Sequence, residues 1–92
     1  MEPQVGDVVL SLAGRDKGRM FFVLEVTEGY ALIADGKLRS AGEPKKKKLK
    51  HLRRVGAPDC KVALKLRAGD KVHSAELRKG MAEFQGEAQE GG

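Results

Sequence analysis

The chain has one cysteine, no tryptophan, two histidines and four aromatic residues, Phe21, Phe22, Tyr30 and Phe84. A lone thiol, Cys60, closes no internal disulfide, which fits a reducing compartment. Together with His51 and His73 it falls short of the four ligands of a structural zinc site. Without a placed base it is also a poor nucleophile. No stretch approaches the ~18 apolar residues of a membrane-spanning helix, and the opening Met-Glu-Pro-Gln lacks the basic and apolar regions of a signal peptide. The glycines at 14 and 18 have the wrong spacing for a nucleotide-hydrolase phosphate loop, and no Lys-Ser or Lys-Thr follows them. Ninety-two residues allow one domain, with a core that leaves little room for a catalytic cavity. These absences predict a soluble, cytoplasmic protein that is not an enzyme, carries no metal or other cofactor and has no membrane partner.

What the chain does have is positive charge, unevenly placed. Residues 1–54 carry twelve Lys and Arg against seven Asp and Glu, and residues 55–92 carry six of each, so the whole net charge of +5 belongs to the first part. Lys37 to Arg54 alone holds nine cations and a single acid, Glu43. Charge concentrated in this way is the footprint of a polyanionic partner, although Lys-rich tracts also serve as plain solvated surface.

The cations are set among strand signals. Val8, Val9, Leu10 and Leu12 form one apolar run, and Met20, Phe21, Phe22, Val23, Leu24 and Val26 form another, each of the length expected of a strand. Between them lies Ala-Gly-Arg-Asp-Lys-Gly-Arg, residues 13 to 19, a turn in which Gly14 and Gly18 permit positive φ and Arg15, Lys17 and Arg19 project. The predicted strands are Asp7–Leu12, Arg19–Val26, Tyr30–Ala34, a short Lys37–Arg39 paired back through Asp35-Gly36, and an edge-like Lys47–Leu52. Alternation puts Val8, Leu10 and Leu12 on one face with Phe22, Leu24 and Val26, joined by Tyr30 and Leu32. Phe21 and Tyr30 are read as core first, with stacking on an unpaired base as the alternative.

This strand, basic Gly-containing loop and strand unit resembles the KOW motif, with Gly18 at the position of the motif's key glycine. Downstream, Tyr-Ala-Leu-Ile-Ala-Asp-Gly-Lys-Leu-Arg at 30 to 39 and Pro-Lys-Lys-Lys-Lys-Leu-Lys-His-Leu at 44 to 52 are similar to a group of small KOW-containing large-subunit ribosomal proteins. The likeness spans Val5 to Leu52, a little over half of the chain. It implies a mainly β fold, a five-stranded SH3-like barrel over residues 1–54 that binds RNA.

After Leu52 the character changes. Arg53 to Pro58 reads as a linker. Asp59 is placed to cap a helix running to Arg67, although Cys60, Val62, Leu64 and Leu66 also alternate as a strand would. Ser74 is the expected N-cap of a second helix reaching Phe84, with Leu77, Met81 and Phe84 making one apolar face. Residues 55–84 are thus expected to form a helical extension packed on the barrel, and residues 85–92 a disordered tail.

The candidate RNA-binding residues are Arg15, Lys17, Gly18, Arg19, Lys37, Arg39, Lys45, Lys46, Lys47, Lys48, Lys50, His51, Arg53 and Arg54. Lys and Arg grip phosphate, and His51 is either a donor to phosphate or 2′-hydroxyl or a plain surface residue, so recognition is expected to follow RNA shape. The resemblance implies that this RNA is ribosomal, ties the protein to translation and the ribosome, and makes ribosomal proteins further candidate partners of a chain that is monomeric when free. The alternative is a protein-interaction module of a transcription or translation factor, docking through the Leu77, Met81 and Phe84 face.

Overall fold

The computed structural model describes residues 2–90. Among them are five strands, β1 (Val8–Ser11), β2 (Met20–Thr27), β3 (Tyr30–Ala34), β4 (Lys45–Lys48) and β5 (Leu52–Gly56), followed by helices α1 (Lys61–Arg67) and α2 (Ser74–Glu90). The strands form one antiparallel sheet in the order β4-β3-β2-β1-β5. The fold is therefore mainly β with two C-terminal helices. The sheet's two edge strands, β4 and β5, are joined by the single 3-10 turn Leu49–His51. Five flat strands would hold their edges about 19 Å apart, whereas the chain from Lys48 to Leu52 spans at most about 14 Å even when extended. The sheet must curl. Among the described residues β4 and β5 do not pair with one another, so the sheet is curled but open.

Bulges supply the curvature. The β2–β3 register shifts between Val23 and Glu25, and the β1–β5 register between Val8 and Val9. An extra residue in one strand bends it and moves every later side chain to the opposite face. Val26 is accordingly paired with Ala31, away from the Phe22 face on which plain alternation put it, and is exposed. Leu12, the other end of the expected apolar stripe, is 41% exposed.

Both sheet faces are buried, which the alternation pattern did not anticipate. On one, Val8, Phe22 and Ala34 pack against Val62, Ala63 and Leu66 of α1 and Leu77 and Met81 of α2. On the other, Val9, Phe21, Val23, Ala31 and Ile33 are enclosed by the curl together with Leu52, and Leu49 packs against them. Phe21 is fully buried, so it serves the core and not base stacking.

Four local expectations need correction. Lys37–Arg39 is not a strand: the Asp35 carboxylate accepts from the backbone N–H groups of Lys37, Leu38 and Arg39 at 2.9, 3.0 and 3.0 Å, folding the segment into a capped turn. Strand pairing would need those donors. The strand predicted as Lys47–Leu52 is divided among three elements, the end of β4, the 3-10 turn and the first residue of β5, and Arg53–Gly56, read as linker, belongs to β5 against β1. Ser74 does not cap α2, because its Oγ accepts from Ala41 N at 2.9 Å. The Glu76 carboxylate instead reaches back to His73 N at 2.8 Å, which is the acidic half of a capping box.

The segment read as either helix or strand holds the helix α1 from Lys61 to Arg67, with Cys60 and not Asp59 at the N-cap position. The second helix runs to Glu90, past Phe84 and into the segment expected to be disordered; Gly91 and Gly92 lie outside the described residues. Gly80 sits where α2 meets Val62 and the Phe22 ring, and a Cβ there would collide with the Val62 side chain. Its missing side chain lets α2 approach α1 and the sheet.

Lys65 of α1 bonds the Glu76 carboxylate of α2 at 2.5 Å. That bond first, and the His73 N–H second, hold the Glu76 pKa below the ordinary glutamate range. A folded-state pKa below the unfolded one contributes stability at pH values above the unfolded pKa and loses it as pH falls through the folded pKa. Glu76→Gln is expected to flatten the acid limb of stability in that window. Urea titrations at stepped pH test this, and an acid limb identical to that of the parent would contradict it.

Candidate nucleic-acid interface

The loop between β1 and β2 is built outward from a buried carboxylate. Gly14 and Gly18 take φ of +78° and +87°, a region that side chains disfavour, which lets the chain turn back within a few residues. Gly18 N donates to Ser11 O at 2.8 Å and Arg19 N to Asp16 O at 3.0 Å, closing the turn at its base. Asp16 points inward and is 6% exposed, and Arg39 meets it with Nη2 at 3.0 Å and Nε at 3.3 Å. A carboxylate removed from water needs such a fork-like partner. Lys47 adds a second brace from β4, its Nζ donating to Ala13 O at 2.7 Å. With Asp16 turned in, Arg15, Lys17 and Arg19 are all exposed on the same short loop.

The fourteen sequence candidates therefore separate by role. Arg39 and Lys47 brace the loop, and Arg54 bonds the buried Asp7 carboxylate at 3.0 Å, so these three are tied to protein partners. Arg15, Lys17, Gly18, Arg19, Lys37, Lys45, Lys46, Lys48, Lys50 and Arg53 are exposed. His51 is half-buried, and its carbonyl accepts from Leu12 N at 2.9 Å, which places the 3-10 turn beside the end of β1 that leads into the basic loop.

The lysine tract is not one face. Because β4 is a strand, Lys45 and Lys47 lie opposite Ile33 and Ala31 and share a side, while Lys46 and Lys48 lie opposite Leu32 and Tyr30 on the other. On its side Lys47 reaches the basic loop, through its bond to Ala13 O. On the far side Lys46 Nζ lies 4.6 Å from the Tyr30 ring centroid, a cation–π contact. Tyr30 is only half-buried and lines a shallow groove of about 1040 Å³ with Lys48 and Lys50 and with Glu2 and Glu28, so the one tyrosine sits at a surface of mixed charge.

No family model matches the chain, and no curated protein matches it. Its ligand must be inferred from the chemistry of this surface: many exposed cations, few acids beside them and a rigid loop that presents three of them together. Arg78 on α2 was missed in the sequence because it lies in the charge-neutral part of the chain, and only the docking of α2 brings it beside the turn at Gly36. Its Nη1 donates to Gly36 O at 2.6 Å.

Proposed function

We propose that this protein binds structured RNA, ribosomal RNA in the first instance, through the exposed cations of the β1–β2 loop and of the β4 edge. The observation that carries the reading is the loop built around Asp16, in which an inward carboxylate and the Arg39 and Lys47 braces hold three outward cations in place. A braced loop presents its cations to phosphate without first giving up loop freedom. The strand order, the curl of the sheet and the glycine at 18 with its positive φ are what a KOW unit on an SH3-like scaffold would have, and they support assigning the chain to that type. Cations supply affinity more than sequence discrimination, so the expected target is a folded RNA shape.

The competing reading, a protein-docking module, leaned on the apolar face of α2. Leu77 is fully buried and Met81 nearly so, both inside the core shared with the sheet, so that face is already occupied.

Sedimentation of a lysate of the producing cells through sucrose gradients tests the ribosomal part of the proposal. The protein is expected to travel with the large subunit at low salt and to leave it at high salt. With about six phosphates neutralised, affinity falls by several orders of magnitude over a modest salt increase. Absence from every ribosomal fraction at low salt would overturn the ribosomal assignment.

A further inference from the structure

We propose that the groove between the β1–β2 loop and α2 is a second phosphate-binding element for the same RNA, anchored by Arg78. This rests on the RNA-binding reading above and extends it to the part of the chain whose net charge is zero. The groove has a volume of about 490 Å³, and its walls include Arg19, Lys37 and Arg78 with Gly18, Asp35 and Met81. Three cations thus face one acid. One Asp35 oxygen accepts the three backbone N–H groups of its own turn, so the acid is held against that turn while the cations outnumber it three to one.

Arg78 is positioned rather than merely present. Its bond to Gly36 O is the only hydrogen bond its guanidinium makes among the described residues, and a guanidinium carries five N–H groups. The bond fixes the head group and leaves most of its donors for a ligand. The helix beneath is fixed too, since Ser74 Oγ accepts from Ala41 N. Gly36 has φ of +80° and lies against the Ser74 carbonyl, so a side chain at 36 would push α2 away from the loop. Across the groove Gly18 has open space on its Cβ side, which lets a phosphodiester come close to the backbone.

The chemistry selects a phosphodiester of folded RNA. Arg19 belongs both to the basic loop and to this groove, so one RNA backbone leaving the loop enters the groove without a break in positive charge. Arginine also suits phosphate through its paired N–H groups.

The test is fluorescence anisotropy of the full chain with a labelled RNA hairpin carrying an internal loop, titrated at several salt concentrations. Arg78→Gln is expected to weaken binding by roughly five- to tenfold at 0.1 M salt and to lower the slope of log K against log salt by about 0.9, the signature of one lost phosphate contact. Arg78→Lys is expected to restore the slope, because the charge returns even though the fork does not. If Arg78→Gln lowers affinity or melting temperature but leaves the slope unchanged, Arg78 acts only as a strut for the Gly36 turn and the proposal falls. An Arg78→Lys slope that matches Arg78→Gln overturns it equally. These outcomes are separate from failure of the RNA reading, which would appear as no binding of the hairpin by the parent protein at low salt.

Discussion

Reversing two charges with Arg15→Glu and Lys17→Glu is expected to abolish RNA binding and leave the fold intact. Both side chains are exposed, and neither is among the braces that hold the loop. Removing two phosphate contacts and adding two repulsive carboxylates should weaken binding about a hundredfold or more at low salt. Because Asp16, Arg39 and Lys47 are untouched, circular dichroism and melting temperature should match the parent, as surface substitutions away from packed features usually shift stability by about 0.5 kcal/mol or less. Unchanged RNA affinity in the doubly substituted protein would remove the loop from the interface. A collapse of the melting temperature would instead mean that Arg15 or Lys17 supports the loop.

Leu77→Asp is expected to unfold the protein. Leu77 is fully buried where α2 meets the sheet and α1. Truncating a buried leucine costs ~2–5 kcal/mol through lost transfer energy and the cavity left behind. An unpaired carboxylate in the same place adds several kcal/mol of desolvation after relaxation. A chain of this length has a total stability of roughly 5–14 kcal/mol, so the charge alone can exhaust it. Leu77→Ala carries the same argument at a tolerable cost and should remain folded with a melting temperature lowered by many degrees. Should Leu77→Asp melt like the parent while losing a protein partner, α2 would have to dock outward and the protein-interaction reading would return.

The residues of the first three strands were legible because their apolar runs are short, β-branched and punctuated by glycine turns. The basic loop was legible because its glycines and cations are contiguous. Beyond Ala34 the reading failed at points where a side chain competes for backbone donors. Asp35 took the N–H groups that a fourth strand would have needed, and Glu76 took the cap role that Ser74 was expected to fill. Such competition depends on where the rest of the chain folds, since Ser74 is drawn away by Ala41, which is distant in sequence. The face assignment failed at Leu24, where one bulged residue inverts the alternation of β2, and bulges leave little trace in a hydrophobicity pattern.

Among the candidate site residues, exposed and committed cations could not be told apart from the sequence. Arg15 and Arg39 have the same side chain and both stand in glycine-bearing turns, yet one faces solvent and the other is spent on Asp16. By itself the sequence determined that the protein is a small, largely β molecule with its net positive charge in the first 54 residues, because composition and local periodicity are properties of the chain. Only the tertiary structure decided which cations remain available to a ligand, that the four-lysine tract divides between two faces, and that Arg78 joins the basic surface. Each of these depends on distances between residues far apart in sequence, and those distances are set by the curl of the sheet and the docking of α2 upon it.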